Sequence, residues 1–79
     1  MKDTLLYIIS SIVESPDKVL VTEAETDGVI NFLVTVDKED MGKVIGKNGK
    51  IIKAIRNVLK IPAIKNNKKI FISLTEIPL

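Results

Sequence analysis

The sequence predicts an α+β domain of element order α-β-β-α-α-β, a three-stranded sheet packed against three helices. Apolar residues recur at helical spacing near the N-terminus and again over residues 50–60. Alternating β-branched runs occupy residues 18–25, 29–36 and 68–75, the first two separated by a tight-turn signal. Two glycines bracket a polar pair, Gly46-Lys47-Asn48-Gly49, between two helical patterns. At 79 residues and 46% apolar content, one modest core is affordable and a second is not, so residues 1–79 are expected to form a single domain.

The first helix rests on Leu5, Leu6, Ile8, Ile9, Ile12 and Val13, with Tyr7, Ser10, Ser11 and Glu14 on the other face; Asp3 or Thr4 can cap it. It should end near Ser15, because Pro16 disfavours helical geometry in the residue before it. Thr26-Asp27-Gly28 predicts an antiparallel hairpin between the first two strands. The second strand is the more continuously apolar, which places it inside the sheet. A short helix from Lys38 to Ile45 is expected, capped by Asp37, with Asp40 in its first turn complementing the dipole. The next helix, Lys50 to Lys60, closes at Ile61-Pro62, and a polar loop over residues 63–67 precedes a last strand with Ile70, Ile72 and Leu74 on one face.

Charge divides the chain. Residues 1–40 hold nine acidic and three basic groups, and residues 41–79 nine basic and one acidic, a split of −6 and +8 beneath a net charge of +2. No carboxylate lies between Met41 and Thr75, and the cations begin at the glycine loop, which points to a polyanionic partner. The chain has no cysteine and no histidine. That removes thiolate metal sites and the commonest general base, so an enzyme is not expected, nor a metal or other cofactor. The N-terminal apolar run is broken by Ser10 and Ser11 and stops at Pro16, so it reads as neither signal peptide nor membrane span, and a cytoplasmic address is expected.

The glycines of the loop let the main chain turn sharply and keep side chains away from an approaching anion, while the following helix opens with N–H groups that lack intrahelical partners. Lys47 and Lys50 flank this point with positive charge. The stretch Gly42-Lys43-Val44-Ile45-Gly46-Lys47-Asn48-Gly49-Lys50-Ile51-Ile52 resembles the I-G-x-x-G-x-x-I signature of KH domains, with Ile45, Gly46, Gly49 and Ile52 in place. The element order resembles the bacterial, type II arrangement of that domain over essentially the whole chain. The size and the start at Met1 resemble the small stand-alone bacterial KH proteins of the KhpA family. That resemblance implies single-stranded RNA as partner, an RNA-chaperone or post-transcriptional role tied to cell elongation, division and cell shape, and self-association as a homodimer. It also implies a heteromer with a larger KH protein of the Jag/EloR type.

In that reading Gly46 and Gly49 let the backbone lie against successive phosphates, Lys47 and Asn48 orient them, and Lys43, Lys50, Lys53 and Arg56 extend the positive field. Val44, Ile45 and Ile52 either floor an adjacent base-reading groove or simply pack in the core. The outer lysines, Lys53 and Lys60 above all, read equally as a solvated face. In the Lys50–Lys60 helix the apolar positions Ile51, Ile52, Ala54, Ile55, Val58 and Leu59 fill an arc of about 160°, wider than core packing requires. The Ile52 and Leu59 edge is assigned to the groove. Ala54 and Val58, with Ile61, form either a dimerisation surface or the rest of the core.

Rival loops fit less well. A helix-hairpin-helix turn places an apolar residue between its glycines, and a nucleotide P-loop needs four residues before its second glycine and a hydroxyl residue after its lysine, where this chain has Ile51. The rival from another class is a protein-interaction adaptor that uses the same fold as a dimerisation module without touching RNA. The acidic N-terminal half fits either a docking face or an electrostatic limit on nonspecific binding.

Overall fold

Asp27 and Gly28 both take positive φ, 51° and 77°, as a two-residue type I′ hairpin turn requires. In the computed structural model, which describes residues 2–77, this turn joins β1 (Leu20–Thr26) to β2 (Val29–Val36) in antiparallel register, Thr26 opposite Val29 and Leu20 opposite Thr35. The outermost positions of the expected 1–79 domain, Met1, Pro78 and Leu79, lie outside the described residues. β3 (Lys69–Glu76) adds to the other side of β2 in parallel, giving the order β1-β2-β3 with β2 central, as its apolar composition predicts.

All three helices, α1 (Lys2–Ile12), α2 (Met41–Ile45) and α3 (Lys50–Lys65), belong to one side of this sheet. Leu5 and Ile9 of α1, Val44 of α2 and Ile55 and Leu59 of α3 join Val21, Ile30, Phe32, Val34, Val36 and Ile72 in one core. Strand alternation explains the selection. Ile30, Phe32 and Val34 face the helices and are buried, whereas Asn31 and Leu33 face outward and are exposed. β2 reads as continuously apolar because Val29 and Leu33 add apolar surface to its open face.

Two expectations need correction. The helix expected to stop at Ile61-Pro62 runs on to Lys65. A proline inside a helix costs about 3 kcal/mol, but the extra turn buries Ala63 and ends in a hydrogen-bonded cap. The Asn67 N–H donates to the Ile64 carbonyl (3.0 Å) and the Lys68 N–H to the Ala63 carbonyl (2.8 Å), with Asn67 left-handed at φ 57°. That is a Schellman ending with asparagine where glycine is usual. The Asn66 side-chain amide closes the Pro62 carbonyl as well (2.8 Å).

The expected Lys38–Ile45 helix divides into a 3₁₀ turn over Lys38–Asp40 and then α2. Asp37 caps this turn as expected, accepting the Glu39 N–H at 3.1 Å and the Lys18 ammonium at 3.1 Å. These bonds hold its carboxyl below the ordinary range, and the same pairing raises Lys18. Asp40 does not merely complement a dipole. It is buried, and its two oxygens accept the N–H groups of Glu14 and Ser15, each at 3.1 Å, just past the end of α1. One side chain thereby ties the exit of α1 to the entry of α2. Asp40→Ala leaves two backbone donors unpaired and is expected to lower stability by about 2–4 kcal/mol. Urea unfolding followed by circular dichroism should show a lower midpoint at unchanged slope.

Candidate nucleic-acid interface

α2 ends at Gly46, whose N–H donates to the Gly42 carbonyl at 2.9 Å before the backbone swings to φ 75°, ψ 171°. Lys47–Gly49 form a single 3₁₀ turn closed by the Gly49 N–H to the Gly46 carbonyl (3.1 Å), and α3 starts at Lys50. Asn48 and Gly49 are both left-handed, at φ 58° and 72°. Three successive residues thus carry no regular secondary structure beyond one turn, and Lys47 and Asn48 stand exposed at its tip. A Cβ on Gly46 would lie 2.6 Å from Cγ1 of Ile51, so glycine is required there by packing as well as by φ. Around Gly49 nothing lies within 4 Å of that position. The chain itself leaves this space open.

α3 presents three different faces at about 100° per residue. Ile55, Leu59 and Ala63 face the core. On one flank Arg56 and Lys60 line a cleft of about 410 Å³ against β3, with Ile64, Lys69, Ile70 and Phe71 also on its walls. On the other flank Ile51, Ala54, Val58 and Ile61 run along the exposed surface, Val58 at 52% and Ile61 at 60% accessibility. The glycine loop and the cleft thus lie along the same helix, the loop at its start and the cleft beside its later turns, and the apolar stripe lies apart from the cleft.

The structure redistributes the residues expected at the site. Val44 is completely buried and has no surface to offer a base, so it belongs to the core. Leu59 does too, which corrects its assignment to the groove edge. Ile45 and Ile52 stay partly accessible beside the loop. Lys43 points instead to Glu14 and forms an ion pair with it, while Lys68 pairs with Glu25. Lys47, Lys50, Lys53, Arg56, Lys60, Lys65 and Lys69 have no carboxylate partner among the described residues. Ala54, Val58 and Ile61 keep accessible surface and stand outside the core cluster, so the reading in which they complete the core does not hold. Sequence reasoning missed the far half of the cleft, where Asn57, Lys60, Ile64 and Lys69 converge. Its signal was present in Lys68-Lys69 ahead of a strand, but only the parallel addition of β3 beside α3 brings those residues to the helix.

A parallel-plus-antiparallel sheet of this order, backed by three helices and carrying a G-x-x-G turn between the second and third, defines a type II KH domain. The chain belongs to the KhpA/KhpB KH-domain family, whose model matches residues 2–74. It is 42% identical over 76 residues to the RNA-binding protein KhpA of Listeria monocytogenes, covering 96% of this chain and all of that one. With the RNA-binding protein KhpA of Clostridium acetobutylicum it shares 46% identity over 74 residues, 94% of this chain and 99% of that one. Among solved structures it superposes on Era of Aquifex aeolicus bound to GDP and aluminium fluoride with a TM-score of 0.69 at 19% identity. Era in complex with a nucleotide and nucleotides 1506–1542 of 16S ribosomal RNA gives a TM-score of 0.65 at 20% identity. Both superpositions cover 98% of this chain but only 30% of the Era chain, and they speak for the fold alone.

No described helix is long and apolar enough to cross a membrane, and no group of three or more acidic, histidine or cysteine side chains among the described residues is placed to hold a metal ion.

Proposed function

We propose that this protein binds short single-stranded RNA in the cytoplasm, holding the backbone at the Gly46-Lys47-Asn48-Gly49 turn and the bases in the cleft between α3 and β3. The observation that carries this reading is the open loop itself: accessible Lys47 and Asn48 beside a glycine with free space around it, at the start of a helix whose later turns wall a cleft rimmed by unpaired cations. Gly46 and Gly49 shape the backbone, Lys47 and Asn48 contact phosphate, Ile45 and Ile52 meet the first bases, and Lys50, Lys53 and Arg56 supply field. The free edge of β3 offers backbone donors and acceptors to base edges. Curated relatives at 42–46% identity bear the name RNA-binding protein, which supports the same partner here.

A few phosphate contacts from one small module bind weakly, so a working unit of two copies joined along Ala54, Val58 and Ile61 raises effective concentration. The same stripe can accept the KH domain of a larger Jag/EloR-type protein. RNA chaperoning and post-transcriptional control linked to cell elongation and division are the roles consistent with this reading. The exposed apolar stripe also favours a second reading, an adaptor that only assembles proteins.

Fluorescence anisotropy with a pool of short single-stranded RNAs separates the two. Wild-type binding should weaken as salt rises, and Lys47→Asp/Asn48→Asp should reduce affinity at least tenfold while circular dichroism remains native. Equal binding by both proteins, or none by either, would move the function to the adaptor.

A further inference from the structure

Phe71 is 56% exposed and sits on the free edge strand, opposite Asn31 in the register that places both on the sheet face turned away from the helices. It also forms part of the wall of the α3–β3 cleft, so it marks the lip where the cleft passes over the edge of the sheet. The open face around it is built from Thr22 and Ala24 of β1, Val29, Asn31 and Leu33 of β2, and Lys69 and Ser73 of β3. Glu23 and Glu25 alternate to the other side of β1, and no carboxylate belongs to the open face among the described residues. Phe71 keeps more than half of its surface exposed among these neighbours, Lys69 stands two residues away on the same strand and face, and Asn31 lies beside it across the ladder.

An aromatic face, a neutral amide and a cation without a carboxylate partner are the groups that hold a nucleotide by stacking, base-edge hydrogen bonding and charge. We infer that Phe71, Asn31 and Lys69 form a second nucleotide subsite on the outer face of the sheet. It takes a base of single-stranded RNA that has left the cleft over β3. This inference rests on the RNA-binding reading and lengthens its footprint. A G-x-x-G module clamps about four nucleotides. The subsite lies on the sheet face turned away from the helices, so a strand held at the loop must first cross the cleft and then pass over β3, and only longer strands engage it.

The test compares RNAs of about four and about eight nucleotides. The chain contains no tryptophan, so Phe71→Trp introduces a single reporter on the exposed ring position. Its fluorescence should be quenched by the longer RNA and not by the shorter one. Phe71→Ala should weaken the longer RNA about fivefold or more, and by a clearly larger factor than the shorter one, and Phe71→Leu, which keeps apolar area without a π face, should behave like alanine. Wild type and Phe71→Ala binding the longer RNA equally, with no quenching in the Phe71→Trp variant, would overturn the subsite. If that RNA binding is nonetheless lost in Lys47→Asp/Asn48→Asp, the loop reading stands and only the subsite fails. If no RNA binds the wild type, both fail. A Phe71→Ala variant that changes self-association but not RNA binding would also overturn the subsite, giving the face to a protein.

Discussion

Gly46→Ala is expected to cost about 3 kcal/mol or more, whereas Gly49→Asn should cost less than about 1 kcal/mol and damage only function. At φ 75°, ψ 171°, Gly46 occupies a region essentially closed to other residues, at a cost of about 1–3 kcal/mol. The added methyl would also press within 2.6–2.9 Å of three Ile51 side-chain carbons, and overpacking of this kind costs roughly another 1–3 kcal/mol. Gly49, at φ 72° and ψ 16°, is left-handed in the way that asparagine tolerates, as Asn48 does one residue earlier. Nothing within 4 Å resists a side chain there. What Gly49→Asn removes is access of an anion to the backbone, so RNA affinity should fall about tenfold in a protein that unfolds near the wild-type urea midpoint. Native stability in Gly46→Ala, or undiminished RNA binding in Gly49→Asn, would contradict this division of roles.

In the dimer proposed along Ala54, Val58 and Ile61, Val58→Asp combined with Ile61→Asp should turn a self-associating wild type into a folded monomer. Both side chains are more than half exposed, so neither aspartate disturbs the core. In a two-fold interface each substitution occurs twice, so four apolar anchors are lost, each worth about 1 kcal/mol or more. Association should therefore weaken by at least about 4 kcal/mol, roughly a thousandfold. Sedimentation equilibrium across a range of concentrations reads this directly. RNAs long enough to engage two copies should bind the variant less tightly, while four-nucleotide RNAs bind both proteins alike. A variant that remains dimeric would place the contact on another surface.

The element order, the hairpin turn at Asp27-Gly28, the central position of β2 and the G-x-x-G loop were all legible in the sequence. Each is a local matter: a turn whose two residues tolerate positive φ, or a periodicity of two or about 3.6. The end of α3 was not, because Pro62 looks like a stop until the burial of Ala63 and the left-handed Asn67 are set against it. Asn67 was the available signal, in a polar run that read as loop.

The site divides in the same way. Sequence alone determined that this chain has a cation-rich half beginning at a glycine loop between two helices, because residue types and their spacing fix backbone freedom and charge. Which side chains face a ligand was decided only by tertiary packing. Val44 and Leu59 look like groove residues on a helical wheel, yet the sheet covers them, and Lys43 is drawn aside by Glu14 from the end of α1. Asp40 reads as a dipole partner until α1 arrives with two unpaired N–H groups. Phe71 and Lys69 reach the cleft because β3 joins β2 in parallel alongside α3. Local sequence sets what each segment can do, but burial and partnership depend on residues distant in the chain, and only the folded arrangement brings them together.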